Sequence, residues 1–264
     1  MDYRLLRCDT VLKTIVKKDT LFKGEYCVDP YQNCEFGCGY CDSSFETTVY
    51  VKTNAADILD RELSSVKKGV VIIGSVHDPY QPAEKTYTIT HQILQVIKNH
   101  GFPCHILTKS PLVLRDIELL ASLKSYVTVS LVTLQQPLAR LFERHAPSPK
   151  DRLRTIERLS KEKIRTGAAI IPIIPYVNDS ELGEIVKAVH QAKGSYVLHQ
   201  YLELKGDQKQ CFTNLLSQDY PSLISKYQVL YKDDIRPLQS YRSSVDNIMK
   251  KTCSSMKISE KIKL

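Results

Sequence analysis

Short, nearly continuous apolar runs alternate along the chain with longer stretches of helical period. The runs are 24-GEYCVD-29, 69-GVVIIGS-75, 103-PCHILT-108, 126-YVTVSLVT-133, 166-TGAAIIPI-173 and 195-SYVLHQYLE-203. Most are rich in β-branched residues, and unbroken apolar character suits parallel strands buried on both faces. Between them, 55-AADILDRELSSV-66, 86-TYTITHQILQVIKNH-100, 112-LVLRDIELLASL-123, 149-PKDRLRTIERLSKEK-163 and 180-SELGEIVKAVHQAK-193 read as amphipathic helices. Asn54 precedes the first, Ser148 and Pro149 open the fourth, and Gly101 and Gly194 follow the second and fifth. The alternation predicts βα units joined by right-handed crossovers around a parallel sheet. Six units are too few to close an eightfold barrel, so an open, curved, partial (β/α)6 barrel is expected. Residues 1–204 supply that barrel with an N-terminal extension, and 205–264 form a helical or irregular extension that caps the open side.

A chain of 264 residues with 42% hydrophobic content can bury a full core without covalent staples. No apolar run reaches the roughly 18 residues of a membrane span, and the charged start MDYRLLRCDTVLKTIVKKD is unlike a signal peptide. These features predict a cytoplasmic protein without a membrane partner, where clustered thiols bind metal or do chemistry. The net charge of +8 suits an anionic partner, with nucleic acid as the candidate. Much of the excess sits in 249–264, which reads as a frayed basic tail, and Lys17 and Lys18 add a further pair.

The stretch 33-NCEFGCGYCD-42 places Cys34, Cys38 and Cys41 within eight residues, while Cys8, Cys27, Cys104, Cys211 and Cys253 are scattered. It lies after the first predicted strand, on the face where parallel βα folds collect their chemistry. Gly37 and Gly39 relax the backbone for a loop that wraps closely around an inorganic core. Three readings stand: a disulfide with a spare thiol, a zinc knuckle, or three corners of an iron-sulfur cluster with the fourth left open. Zinc needs a fourth ligand, from Cys27, His77 or further away, and the sequence holds no second pair of the usual spacing.

The cysteine spacing, with aromatic Tyr40 before the last cysteine, resembles the radical S-adenosylmethionine superfamily. Segments 27-CVDPYQNCEFGCGYCD-42, 74-GSVHDPYQPAEKTYTITHQIL-94, 107-LTKSPLVLRDIELL-120, 146-APSPKDRLRTIERL-159 and 170-IIPIIPYVND-179 resemble its subgroup around spore photoproduct lyase, often labelled DNA repair photolyase. The resemblance, over roughly residues 20 to 200, implies a TIM-like partial barrel. It implies a 4Fe-4S cluster on Cys34, Cys38 and Cys41, with S-adenosylmethionine on the open iron. The Tyr40 main chain and Asp42 would approach the adenine, Ile171 and Pro172 would pack on it, and His77, Lys109 and Ser130 would contact the same cofactor. Lys109 would pair with its carboxylate and Ser130 with its ribose. The implied chemistry is reductive cleavage to a 5'-deoxyadenosyl radical that takes hydrogen from a substrate, with flavodoxin or ferredoxin as reductant.

The chain departs from the lyase pattern at one informative place. Where the lyase carries a hydrogen-returning cysteine, this chain has Ser75, whose O–H bond is too strong for that task. Cys27, Cys104 or a tyrosine remain as donors, the substrate stays open, and nucleic acid is one class of it. Two rivals predict different chemistry: a zinc-stabilised nucleic-acid-binding module, and a plain iron-sulfur electron carrier. Arg144 and His145 are placed at the barrel mouth, Ser148 and Pro149 at a helix start, and His199 in the core. Asn178 and Asp179 are expected to cap a helix.

Overall fold

The computed structural model describes residues 1–41 and 47–263. Its strands are β1 (Asp2–Leu6), β2 (Lys13–Thr14), β3 (Tyr26–Val28), β4 (Tyr31–Gln32), β5 (Thr48–Lys52), β6 (Val71–Ile73), β7 (Cys104–Thr108), β8 (Ser125–Ser130), β9 (Arg165–Ile173) and β10 (Val197–Tyr201). Its helices are α1 (Ala55–Leu63), α2 (Glu84–Tyr87), α3 (Ile89–Asn99), α4 (Ile117–Ala121), α5 (Gln136–Phe142), α6 (Pro149–Lys161), α7 (Leu182–Gln191), α8 (Gly206–Asp219), α9 (Ile224–Leu230) and α10 (Gln239–Ser255).

The main sheet runs β10-β9-β8-β7-β6-β3-β2, all parallel except β2, which pairs antiparallel with β3. The six parallel strands fall on the six apolar runs, and β2 adds an edge the sequence pattern did not announce. β1, β5 and β4 form a separate three-stranded sheet, also unexpected, because β4 is only two residues long and β1 is mostly solvated. Among the described residues no strand pairing closes the main sheet into a barrel.

Both faces of the parallel sheet are covered. On one face, Val71, Ile73, Ile106, Val127, Val129, Ala168 and Val197 pack against Leu59, Ile93, Ile97, Ile156, Leu159, Ile185 and Val189 of the helices. Burying each of the valines, leucines and isoleucines among them stabilises the fold by about 1.5–3 kcal/mol. On the concave face, Cys27, Ile72, His105 and Tyr126 occupy one register row across β3, β6, β7 and β8. The floor of this trough is filled by Leu21, Phe22, Tyr126, Tyr196, Leu198 and Ile262. His105, wholly buried, bonds the Phe22 carbonyl at 3.1 Å and the Thr128 hydroxyl at 2.6 Å, which carries a polar network through that floor.

Three expectations are corrected. The helix read over 86–100 is broken at Thr88 (φ +53), because the buried Glu84 carboxylate accepts from Thr90 N and His91 N and restarts the helix as α3. Asn54 does not cap α1 with its side chain; its amide instead pairs with both backbone groups of Cys8, each at 2.9 Å. The basic end is not frayed: Met249, Cys253, Ile258 and Ile262 are buried, and Ser259 O accepts from Val197 N at 2.8 Å beside the sheet edge. Ser148 does cap α6, accepting from Asp151 N at 3.1 Å, and Gly101 takes φ +63 after α3.

Candidate functional site

The loop that carries the cysteines is held on both sides by neighbouring chain. Asn33 takes φ +68 and donates its amide to Thr48 O at 2.9 Å, while its carbonyl accepts from Gln81 Nε2 at 3.0 Å. Gln81 also accepts from Glu35 N at 3.0 Å, and Glu35 accepts from Ala83 N at 2.7 Å. On the other side Cys38 bridges to Glu143, Gly39 N donates to Phe142 O at 2.9 Å, and His145 N donates to Phe36 O at 3.1 Å. Gly39 packs closely under α8, where a Cβ would lie 2.8 Å from Leu215 Cδ1. The C-terminal segment therefore seats against the loop, and Gln208 donates to Tyr40 O at 3.1 Å.

At the carboxyl ends of β6, β7, β8 and β9 this loop closes over a cavity of about 140 Å³. Cys34, Cys38, Tyr40 and Cys41 form one wall. Ser75, His77 and Asp78 follow β6, Lys109 follows β7, Ser130 ends β8 and Ile171 comes from β9. The fold thus brings together eight of the ten residues assigned from sequence to the cluster and its cofactor, although 137 positions separate Cys34 from Ile171. Pro172, next along β9, is buried outside the lining of this cavity. Asp42 lies outside the described residues. Arg144 and His145 are exposed beside the loop, and His199 faces away, 3.0 Å from Asp246 on α10.

The electrostatics of the cavity follow from burial. The Cys34 and Cys38 thiols are pushed up to about 12 by desolvation, so both are held neutral until a cation compensates their charge. Burial by itself would depress Lys109, but an ionised Cys38 sulfur and, while that thiol stays neutral, the Glu143 carboxylate oppose it and hold the ammonium charged. Its Nζ stands 3.8 Å from Glu143 Oε1, an ion pair too long for a hydrogen bond. Burial depresses His77, whose Nδ1 is sealed from solvent without a hydrogen-bond partner among the described residues. Asp78 is raised by burial although it accepts from Thr108 Oγ1 at 2.7 Å and from Lys109 N at 2.6 Å.

Sequence reading missed three acidic or basic groups that build this site. Glu143 accepts from the Tyr40 hydroxyl and pairs with the fully buried Arg152 at 2.6 Å. Arg152 also donates to Ser130 O at 3.2 Å and Pro147 O at 2.9 Å. Asp29 accepts from Ser75 Oγ at 3.0 Å and Val76 N at 3.0 Å and so shapes the loop after β6. Glu143 and Arg152 stand nine positions apart, a spacing that matches neither helix nor strand period, so no sequence signal joined them. Of the suggested hydrogen donors, Cys104 is wholly buried in the core on the helix side, whereas the Cys27 thiol meets the Ser75 hydroxyl.

Can these residues accept a cluster? Among the described residues, no three His, Cys, Asp or Glu side chains are already gathered around one ion. A cluster spaces its thiolates more widely than a single zinc, whose four ligands crowd within about 4 Å of each other. Three thiols on one cavity wall, a facing ammonium and an unpartnered His77 nitrogen fit such a group with an organic ligand beside it.

A model of the Radical SAM superfamily matches residues 28–189. Uncharacterized protein Rv2578c of Mycobacterium tuberculosis is 31% identical over 238 residues, spanning 82% of this chain and 70% of that protein. Uncharacterized protein MJ0683 of Methanocaldococcus jannaschii is 29% identical over 240 residues, 86% of each chain. Among solved structures, spore photoproduct lyase complexed with dinucleoside spore photoproduct matches with TM-score 0.71 and 12% identity over 96% of this chain and 79% of that one. Streptococcus suis SuiB bound to precursor peptide SuiA matches with TM-score 0.61 and 14% identity, over 88% of this chain and 46% of that one. At such identities the structural matches carry the fold, while the family match spans the cysteine loop and four of the six parallel strands, β6 to β9, in this chain. The chain accordingly belongs to the radical SAM superfamily and is one of its enzymes.

Proposed function

We propose that Cys34, Cys38 and Cys41 hold a 4Fe-4S cluster and that the adjoining cavity takes S-adenosylmethionine. The observation that carries this reading is the convergence of three thiols with Lys109, His77 and Ser130 on one cavity from successive strand ends. When bound, the pair supplies one-electron cleavage of the sulfonium to a 5'-deoxyadenosyl radical that takes a hydrogen atom from substrate.

The protein's own residues orient and shield. Lys109, kept charged and only loosely engaged by Glu143, offers its ammonium to a carboxylate. Ser130 offers a hydroxyl at 4% exposure, Ile171 offers an apolar face, and His77 Nδ1 offers the polar atom that lacks a partner. Leu215 and Gln208 of α8 back the cysteine loop and keep bulk water from that wall. Pro172 and Asp42 keep the adenine-side roles that the resemblance gives them.

Nucleic acid is the substrate class we favour. The net charge of +8 supports it, as does likeness to a lyase whose structure holds a dinucleoside spore photoproduct. A flavodoxin or ferredoxin supplies the electron, and the protein works in the cytoplasm. The test is anaerobic incubation with dithionite and S-adenosylmethionine, followed by chromatography for 5'-deoxyadenosine. Wild type should form it and Cys38→Ala should not. A colourless protein with one zinc per chain and salt-sensitive DNA binding would replace this reading.

A further inference from the structure

Beneath the cysteine loop lies a small ensemble of buried charges. Lys109 and Arg152 are positive, Glu143 is negative, and Glu143 bridges them with one carboxylate oxygen toward each cation: Oε1 at 3.8 Å from Lys109 Nζ and Oε2 at 2.6 Å from Arg152 Nη2. The Glu143 side chain is 0% exposed, Arg152 1% and Lys109 17%. Burial tends to neutralise Glu143, but the charges of Arg152 and Lys109 outweigh it and keep the carboxylate ionised. The ensemble touches the loop directly through the Tyr40 hydroxyl on Glu143, and the Glu143 backbone forms an isolated antiparallel β-bridge with Cys38. Its net charge is one positive, in a region where low dielectric and absent salt leave that charge unscreened.

We propose that Glu143 is a positioning residue that sets this net charge and thereby holds down the one-electron reduction potential of a cluster on Cys34, Cys38 and Cys41. The inference rests on the reading of those cysteines given above. Reduction adds a negative charge to the cluster, so every buried positive charge nearby favours it and every negative charge opposes it. Without Glu143 the two cations act together and the potential rises. Without Arg152 the ensemble is neutral and the potential falls. A purely structural brace predicts something else, since loosening the loop from either partner moves the potential in the same direction.

The experiment is an anaerobic redox titration with dithionite, followed by electron paramagnetic resonance, on reconstituted wild type, Glu143→Gln, Arg152→Gln and Tyr40→Phe. Glu157→Gln, on the exposed face of α6 where Glu157 pairs with Lys161, changes charge equally but in solvent. The expected result is a positive shift for Glu143→Gln and a negative one for Arg152→Gln. Tyr40→Phe and Glu157→Gln should give shifts smaller than either. Shifts of one sign in both buried variants, or none, overturn the proposal. Should Arg152→Gln fail to fold, a positive shift of Glu143→Gln that exceeds that of Tyr40→Phe, which frees the loop from Glu143 without changing charge, supports the proposal, and equal shifts of the two overturn it. Failure of wild type to assemble any cluster overturns the underlying cysteine reading, an outcome distinct from an intact cluster whose potential ignores Glu143.

Discussion

Arg152 Nη2 lies 2.6 Å from Glu143 Oε2, with both side chains closed off from solvent. Removing one member of such a pair leaves the other as a buried charge, which typically costs about 3–5 kcal/mol. Arg152→Ala should therefore lose stability of that order in urea denaturation at neutral pH. The double variant Arg152→Ala with Glu143→Gln should recover part of the loss, because no uncompensated carboxylate remains.

Two glycines are predicted to respond oppositely to alanine. Gly74 has φ +82, lines the cavity, and a Cβ there would sit 2.3 Å from Pro79 Cδ and 2.9 Å from Leu107 O. Gly74→Ala should cost about 1–3 kcal/mol and weaken S-adenosylmethionine binding. Gly183 in the first turn of α7 meets nothing within 4 Å, and Gly183→Ala should be neutral or stabilising by about 0.5–1 kcal/mol. Thermal melts of both variants check the pair.

Acid sensitivity should have an identifiable component. Burial pushes His105 down to about 4 from its ordinary 6.5, so the folded state keeps the ring neutral where the unfolded state would protonate it. That contribution is fully present above pH 6.5 and is lost as the pH falls toward 4, amounting to about 3 kcal/mol at the lower end. Urea midpoints of wild type should fall across this window, and those of His105→Gln should fall less steeply. Parallel slopes would assign the acid loss to other groups.

The C-terminal strip should prove structural. Ile258 is 7% and Ile262 4% exposed, and Ser259 hydrogen-bonds β10 and its approach on both sides. Ending the chain after Met256 removes two buried isoleucines, a loss of about 4 kcal/mol, visible as a lowered urea midpoint. A frayed tail would give no change.

The six parallel strands were legible because burial on both faces leaves each as an apolar run, and α1, α6 and α7 were legible from their period, whereas 86–100 divides at Thr88 and 112–123 begins as a 3-10 helix, Pro111–Asp116, before α4. The C-terminal helix α10 was not, because only Val245, Met249 and Cys253 of its seventeen residues are buried, a stripe too narrow to stand out. Strands β1, β2 and β4 were hidden by shortness or exposure, and β5 by an alternation that buries only Val49 and Val51. At the site, Cys34, Cys38, Cys41, Lys109 and Ser130 could be picked out because a resemblance in ordered segments placed them. Glu143, Arg152 and Asp29 could not, since their meaning comes from partners distant in sequence: Tyr40 for Glu143, Ser130 for Arg152 and Ser75 for Asp29.

The most direct test of the account is electron paramagnetic resonance of the anaerobically reconstituted, reduced protein, with and without S-adenosylmethionine. The account predicts a 4Fe-4S signal that shifts when the cofactor is added and that is absent when Cys34, Cys38 or Cys41 is replaced by alanine. A signal indifferent to the cofactor, or a protein that binds zinc and no iron, would contradict it.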